Sequence, residues 1–366
     1  MDNLTVSEWN DEIIVSMIPN IIVLAVYLLV GICGNVLVLL VYACQMKNLS
    51  DERYFIPILA ACDLIATVYL GSVEIYTSIY IVNYSHSVLC KTTSFFTGFT
   101  AFIPICLLLI IAIQRYFKMC MNLNNSKTLL FKRVSLVISC LFSVMASSPL
   151  PCVHEIIPVH NSRYNITGMR CGSSPKGNTL ARNVYFIIVG MFAIATGTTF
   201  IVLYSRIAYK IFGHFKKRRR QNAKCGKGTN IQVENQENST LTDFTMTTDE
   251  TKSNEKDPTA IVCKRTESTK RRRKNRDITY KMAIMFFIIT LVFFICYIPK
   301  LIVLIIAGID KDFVEKLFLS NSQRSAVMFV YDMFIINNIV NPYIYAFMDT
   351  KFRTEAKTLL KRVINR

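Results

Sequence analysis

Seven long apolar stretches stand out in the pattern of hydrophobic and polar positions along the chain. Each holds about 20 or more largely apolar residues, the length that a helix needs to cross about 30 Å of hydrocarbon. The predicted spans are 18–43, 54–82, 91–120, 133–153, 183–213, 277–307 and 324–348. The pattern therefore predicts an all-α membrane protein, a seven-transmembrane helix bundle over residues 18–348.

The two ends of the chain differ in charge. Residues 1–17 contain four acidic residues and no Lys or Arg, whereas the tail 349–366 contains six Lys and Arg residues. Because cytoplasmic segments are enriched in Lys and Arg, residues 1–17 are predicted to be an extracellular N-terminus and the tail to be cytoplasmic. The tail is also predicted to form a short amphipathic helix. The first span has no positively charged segment before it, so we expect it to act as an uncleaved insertion signal.

Composition supports a membrane protein over a soluble one. Hydrophobic residues make up 52% of the chain and charged residues 18%, against about 25% charged in a typical soluble domain. The net charge of +18 could indicate a nucleic-acid partner. Much of it, however, lies in 214–276, a long basic loop between spans five and six, where basic blocks flank apolar runs. This placement is typical of topology signals at a membrane surface and does not favour nucleic-acid binding.

The middle of that loop, 221–269, is rich in Asn, Thr, Ser, Glu and Lys and poor in large apolar residues. Such a composition cannot form a packed core, so the third cytoplasmic loop is predicted to be largely disordered. On the opposite side of the membrane, three sequons are predicted glycosylation sites: Asn3-Leu-Thr, Asn83-Tyr-Ser and Asn165-Ile-Thr.

Most of the spans contain a short motif, different in each, at a defined depth. The motifs are Gly34-Asn35, Leu59-Ala60-Ala61-Cys62-Asp63-Leu64, Cys90, Gln114-Arg115-Tyr116, Tyr204, Phe293 with Cys296-Tyr297-Ile298-Pro299, and Asn341-Pro342-Tyr343-Ile344-Tyr345. In this order they resemble the rhodopsin-like (class A) G-protein-coupled receptors, in a divergent, peptide-receptor-like branch. The resemblance covers most of the chain outside 1–17 and the long loop. It implies a plasma-membrane receptor, not an enzyme, that binds an extracellular ligand and activates a heterotrimeric G protein.

The resemblance also implies which residues couple the receptor to its G protein. The arginine of the family's third span corresponds to Arg115, and the tyrosines that support it in the active state correspond to Tyr204 and Tyr345. The full predicted set is Gln114, Arg115, Tyr116, Tyr204, Phe293, Tyr297, Pro299, Asn341, Pro342 and Tyr345.

This chain departs from the family pattern beside that arginine. The usual acid before it is Gln114, and the span-six position that often supplies an acidic partner is Thr279. Neither side chain can form an ion pair, so the inactive state loses charge-assisted contacts worth about 1–3 kcal/mol. We therefore expect elevated basal signalling.

Two further sites follow from the resemblance. Cys90 and Cys171 are the clearest extracellular pair among the 12 cysteines, and a disulfide would tie the second outer loop to span three. Asp63, Asn337 and Asn341 are expected to form a polar cluster that can hold a sodium ion. Relatives often add a serine from span three, where this chain has Pro104. A hydrated hydrogen-bond network without an ion is the alternative. No other cofactor is expected.

Two ligand classes are disfavoured by particular positions. Receptors for biogenic amines carry an aspartate where this chain has Thr97, and opsins carry a lysine where alignment places Ile335. The remaining outer residues that face the bundle are charged or aromatic. The predicted ligand-binding set is Glu74, Thr97, Tyr297, Lys300, Leu304, Tyr331 and Asp332.

A charged, aromatic cavity favours a neuropeptide or other short peptide as the ligand. A structural alternative is that Glu74 or Asp332 simply neutralises Lys300. Among receptors, the alternative ligand is a small non-peptide molecule such as a lipid or nucleoside. A seven-span channel or transporter is a remote alternative, because the polar groups inside the membrane form one cluster and no continuous path.

Regulation is predicted to involve the long loop. Hydroxyl residues cluster there among acids: Ser239, Thr240, Thr242, Thr245, Thr247, Thr248, Thr251 and Ser253. Phosphorylation by a receptor kinase would add negative charge, and we expect arrestin recruitment to depend on this segment. Deleting residues 235–257 should then abolish recruitment. A plain solvated linker is the alternative.

Overall fold

The computed structural model describes residues 4–46, 53–121, 128–173, 179–233, 258–309, 313, 317 and 320–365. Seven helical segments in this part of the chain are long and apolar enough to cross a membrane. Each carries large apolar side chains on its outward surface, such as Val137 and Leu141 of the fourth span and Ile194 and Ile201 of the fifth. A bundle with such a surface needs a lipid environment. The predicted seven-helix bundle is confirmed.

The spans are single helices except the fourth, which is interrupted by a turn after Ser147, and the last. The first six are Val6–Cys44, Phe55–Ile79, Ser87–Cys120, Thr128–Ser147, Thr179–Val233 and Pro258–Ile309. The seventh consists of Asn321–Asp332, a 3₁₀ turn at Met333–Ile335, and Ile336–Met348. A short helix, Leu150–Val153, completes the fourth span, and Thr350–Ile364 forms the predicted C-terminal helix. We call the end of the bundle near Val6 the outer end and the end near the C-terminal helix the inner end.

The first helix begins at Val6, so most of the predicted N-terminal segment 1–17 is helical. The Thr5 hydroxyl accepts a hydrogen bond from the Glu8 amide at 3.3 Å, and the Glu8 carboxylate accepts one from the Thr5 amide at 2.7 Å. This capping box satisfies two amides that would otherwise lack partners at the start of a helix. A prediction from hydrophobicity alone places the boundary too late, because this first turn is polar.

The fifth and sixth helices extend beyond the predicted spans. They run to Val233 and from Pro258, so the prediction that loop 214–276 is largely disordered is wrong for its two described flanks, which are helical. Lys, Arg, Gln and Ala have high helix propensity, so a helix can continue where the apolar run ends. The centre of the loop, 234–257, and with it the predicted phosphorylation cluster, lies outside the described residues.

A β-hairpin covers part of the outer end. Strands β1 (His154–Asn161) and β2 (Ile166–Ser173) pair in antiparallel register. Met169 of β2 also pairs with the segment after the second span, donating to Val82 O at 2.7 Å and accepting from Tyr84 N at 2.9 Å. The predicted Cys90–Cys171 disulfide is present and ties β2 to the start of the third span. The hairpin is therefore held at two separate places.

The outer part of the first helix packs on this hairpin. Trp9, Ile13 and Met17 form a buried apolar cluster with Val82 and Val159. The Asn10 side chain donates to Ile79 O at 2.9 Å and accepts from Val82 N at 3.2 Å. These contacts bury Trp9 and Asn10 in the first turns of the helix, whereas Glu8, Asp11 and Glu12 stay exposed.

Replacing Gly168 by alanine should destabilise this cap. A Cβ atom at Gly168 would lie 2.5 Å from Val82 O and 3.0 Å from Trp9 Cζ3, so backbone and ring would both have to move. We expect a loss of about 1–3 kcal/mol in the free energy of unfolding, measured in detergent. The control is Gly190→Ala, because a Cβ there meets no atom within 4 Å. Equal stability of the two variants would contradict this account.

Two predicted glycosylation sites are accessible. The Asn83 side chain is exposed beside the hairpin, and Asn165 is exposed in the hairpin turn with φ of 51°. Asn3 lies outside the described residues. Glycosylation at these three sequons stays a prediction.

Candidate functional site

Lys300 is the centre of the charged outer cluster. Its side chain comes from the sixth span, one residue after Pro299, and is only 8% exposed. The Nζ atom lies 3.4 Å from the ring centroid of Phe334 and 4.4 Å from that of Tyr331. A cation over an aromatic face is attracted by the negative face of the ring, and more strongly when water is excluded. Two rings of the seventh span therefore hold this ammonium group.

Two carboxylates surround Lys300 without touching it. Glu74 of the second span and Asp332 of the seventh both act electrostatically on its ammonium group. Within the described residues, neither carboxylate forms an ion pair with Lys300 at 4.0 Å or less. The alternative in which a direct ion pair neutralises Lys300 is therefore not the arrangement found. Aromatic rings take that place, and the two acids remain beside it.

The other predicted pocket residues differ in their surroundings. Thr97 is half-buried on the third span, and Tyr331 contacts Lys300 as described above. The Tyr297 ring stacks on Phe293 at 4.5 Å between centroids, and no residue in the described part of the chain hydrogen-bonds its buried hydroxyl. Leu304 is 50% exposed, so it lies at the rim of this cluster or faces lipid.

The predicted polar cluster lies deeper in the bundle. Asn341 Nδ2 donates to Asp63 Oδ2 at 2.7 Å, across the second and seventh spans. Asn337 is also buried, but its hydrogen bond runs to the neighbouring Asn338 at 3.4 Å. The structure thus joins two of the three predicted residues directly.

The first span adds an amide that the predicted cluster lacks. Asn35 Nδ2 donates to Asn338 O at 2.9 Å and to Gly31 O at 3.0 Å. Several buried oxygens nearby have no hydrogen-bond partner among the described residues, including Asn35 Oδ1, Thr67 Oγ1 and Asn341 Oδ1. Carboxylate and amide oxygens are suitable ligands for a hard cation, and the same atoms suit bound water.

Arg115 lies buried at the inner end of the third span. It is 1% exposed, and its Cζ atom lies 5.1 Å from the centroid of the Phe286 ring in the sixth span. The preceding Gln114 is also buried, and its Oε1 atom accepts no hydrogen bond from the described residues. In this state the guanidinium is packed against an aromatic ring of the sixth span.

Tyr204 and Tyr345, the two tyrosines predicted to support Arg115, are both buried, and their supporting role stays a prediction. The Tyr204 hydroxyl lies 3.0 Å from Thr290 Oγ1 and donates to Phe286 O at 3.3 Å, which joins the fifth and sixth spans. Tyr345 is fully buried in the seventh span, and its hydroxyl has no hydrogen-bond partner in the described structure. Tyr116 is half-buried and contacts Phe117. Pro342 packs against Gly34, where a Cβ would lie 3.1 Å from its ring.

A buried ion pair that the sequence analysis missed fixes the start of the C-terminal helix. Arg53 Nε and Nη2 donate to the two carboxylate oxygens of Asp349 at 2.6 Å and 2.8 Å. Asp349 also caps this helix by accepting from the Lys351 amide at 3.0 Å and the Phe352 amide at 3.3 Å. The hydrogen bonds that Arg53 donates to Asp349 raise the pKa of Arg53 despite the cost of burial. The cap could have been inferred from sequence, but the partner 296 residues away could not.

Comparison with known proteins decides the family. The model of the 7 transmembrane receptor (rhodopsin family) matches residues 34–345, which is most of the chain. The chain belongs to this family. The match contains the Arg115 site, the polar cluster and the outer charged pocket, so the geometry above is that of a rhodopsin-family receptor.

The receptor is similar to several curated members. It is 26% identical to a type-1 angiotensin II receptor of Gallus gallus over 53% of this chain and 55% of the relative. It is 23% identical to an isotocin receptor of Catostomus commersonii over 89% of the chain and 73% of the relative. It is 20% identical to a cholecystokinin receptor type A of Cavia porcellus over 91% and 78%. The matches to angiotensin receptors span about half the length of those relatives.

Besides the Arg53–Asp349 pair, sequence reasoning missed one contact in the charged outer cluster and one in the polar cluster of this receptor. Phe334 was not in the predicted pocket, although it lies three residues after Tyr331 and so on the same helical face. Asn35 was recognised as a landmark, but its bond to Asn338 was not foreseen. Both cases depend on contacts between spans that are close only in three dimensions.

Proposed function

We propose that this receptor lies in the plasma membrane with its N-terminus outside, binds a short peptide such as a neuropeptide, and activates a heterotrimeric G protein. The cationic Lys300 beside the acids Glu74 and Asp332, among aromatic rings, is the observation that carries the peptide assignment. Peptides present charged groups and side chains that such a pocket can bind, whereas a neutral lipid would leave these charges without a partner in the ligand. The names of the relatives, receptors for angiotensin II, isotocin and cholecystokinin, support it.

A chain of aromatic contacts offers a route from the pocket toward the inner end. Lys300 contacts Phe334, whose ring lies 5.9 Å from Tyr297, and Tyr297 stacks on Phe293. Ligand binding that moves Lys300 would shift this stack and thus the sixth span. Outward movement of that span would remove Phe286 from Arg115 and open a site for the G protein. Such a transition needs only a ligand that binds the open state more tightly.

The Asp63–Asn341 contact is proposed to carry an allosteric sodium ion or bound water. Asn337 completes the proposed ion site, as the resemblance implies. A cation here would compensate the buried carboxylate and link the second and seventh spans. Receptor kinase and arrestin are proposed as further partners through the third inner loop.

Replacing Gln114 by aspartate should lower ligand-free signalling. Gln114 Oε1 has no hydrogen-bond partner among the described residues, and an aspartate there would give Arg115 an adjacent negative charge. A charge-assisted contact made only in the inactive state would stabilise that state by about 1–3 kcal/mol, or about 5- to 150-fold in the population ratio. Basal second-messenger output at equal surface expression measures this. Gln114→Asn controls for the shorter side chain, and unchanged output in the aspartate variant would contradict the account.

The proposed function is tested with the receptor and G protein in membranes. Fractions of a neuroendocrine peptide extract are added, and guanine-nucleotide exchange is measured with and without prior protease digestion of the extract. A protease-sensitive stimulation that depends on the receptor is the expected result. Stimulation that survives digestion would favour a lipid or nucleoside ligand. Receptor-independent exchange, or ion conductance without exchange, would overturn the receptor assignment.

A further inference from the structure

The charges of the outer pocket do not balance. Glu74 and Asp332 supply two carboxylates and Lys300 a single ammonium group, so the cluster carries a formal charge of −1. Lys300 is engaged by the faces of Phe334 and Tyr331, and no carboxylate in the described structure lies within 4.0 Å of it. The lysine therefore does not satisfy the acids by direct contact.

Asp332 is the least satisfied of these groups. It is only 7% exposed, and within the described residues no hydrogen bond or ion pair at 4.0 Å or less reaches its carboxylate. Glu74 accepts one long hydrogen bond, from Thr77 Oγ1 at 3.4 Å. Buried carboxylates are normally paired or well hydrogen-bonded, because removing them from water is costly. Asp332 thus lacks a positively charged or hydrogen-bonding partner, and the half-buried Glu74 beside it has only this one weak hydrogen bond.

We propose that the ligand of this receptor inserts a positively charged group, an ammonium or a guanidinium, between Glu74 and Asp332. This inference rests on the proposed function and adds the charge of the part of the ligand that enters most deeply. An entering cation would neutralise the excess negative charge and supply the missing donors. It would also leave Lys300 on its aromatic faces. A carboxylate aimed at Lys300 would instead have to approach two acids.

Two parts of a peptide can supply this positive charge, its α-ammonium group and a basic side chain. Small probes separate them. The ammonium group is the single charged group of glycinamide, and the guanidinium group is the single charged group of Nα-acetyl-argininamide. N-acetylglycine, which carries a carboxylate, is the anionic control. Purified receptor is heated in detergent with each probe at constant ionic strength, and the midpoint of thermal unfolding is recorded. Because no G protein is present, failure of this test is distinct from failure of the proposed signalling.

At least one cationic probe should raise the unfolding midpoint by about 2 °C or more, whereas N-acetylglycine should not. Asp332→Asn and Glu74→Gln should each remove the effect. Asp11→Asn and Glu12→Gln, which neutralise exposed acids on the first helix, should retain it. If both cations raise the unfolding midpoint, positive charge alone determines binding to the pocket. If one does, its charged group is the one that the pocket accommodates.

Lys300→Met gives an independent test that does not require removal of an acid. It leaves two carboxylates without the competing lysine, so cationic probes should bind at least about 3-fold more tightly. Loss of cation binding in Lys300→Met, or a cation response that persists in the double variant Glu74→Gln/Asp332→Asn, would overturn the proposal. So would an equal or larger stabilisation of the wild type by N-acetylglycine.

Discussion

Replacing Arg115 by alanine is expected to abolish G-protein activation by this receptor. The guanidinium is buried against Phe286 in the present state, and in the proposed mechanism it reaches a partner only after the sixth span moves away. Alanine lacks the long, charged side chain that would extend from the opened inner end to the G protein. Losing a buried charged contact costs about 2–5 kcal/mol, so nucleotide exchange should fall at least about 10-fold, to the level without receptor.

The measurement compares ligand-free and extract-stimulated exchange at matched surface expression. Arg133→Ala is the matched control, because Arg133 is an exposed arginine near the inner end of the fourth span. Its removal takes away one positive charge from the same side of the membrane without touching the Arg115–Phe286 contact. Full exchange by the Arg115→Ala variant would refute the coupling role of this residue.

Replacing Asp349 by asparagine is expected to cause the largest loss of stability. Asparagine is an equally good helix cap, so the change leaves the capping of the C-terminal helix in place and removes only the negative charge. Arg53, with its side chain 10% exposed, would then remain buried without its carboxylate. Breaking one partner of a buried pair costs about 3–5 kcal/mol.

A double-mutant cycle isolates the pair itself. Arg53→Met/Asp349→Asn should be more stable than Asp349→Asn alone, because no guanidinium then stays buried beside an uncharged amide, with a coupling energy of about 1–3 kcal/mol. Unfolding in a denaturing-detergent titration provides the free energies. Arg353→Gln, an exposed position on the same helix, is the control and should change stability by less than about 0.5 kcal/mol. A coupling energy of zero would show that the two side chains act independently.

The arginine of this pair should keep its charge, and so its contribution to stability, at every pH used in receptor assays. Its hydrogen bond with Asp349 raises the pKa of Arg53 above the value in the unfolded chain. A group whose pKa is raised on folding contributes its full stability below the unfolded pKa and loses it only as the pH rises through the folded value. For an arginine this window lies far above physiological pH.

The sequence predicted those features that depend on local pattern. Long apolar runs determine the number of spans. A single segment of chain can cross lipid only as a helix, because a helix forms its backbone hydrogen bonds within the segment. The motifs around Arg115, Tyr297 and Pro342 identify the family, since each lies at a fixed position within its span. The Cys90–Cys171 disulfide followed from compartment and from the resemblance. Helix ends were less accurate, because the capping box at Thr5 and the basic extensions of spans five and six are polar.

Only the tertiary structure decided which side chains meet. The sequence placed Glu74, Lys300 and Asp332 in the outer half of the bundle, but it could not show that Lys300 lies on Phe334 and leaves both acids beyond 4.0 Å. Nor could it pair Arg53 with Asp349, which are 296 residues apart. The amphipathic and apolar patterns of a chain determine which segments enter the membrane and which faces turn inward. The rotation and depth of each helix, and hence its side-chain contacts, arise only when all seven pack together.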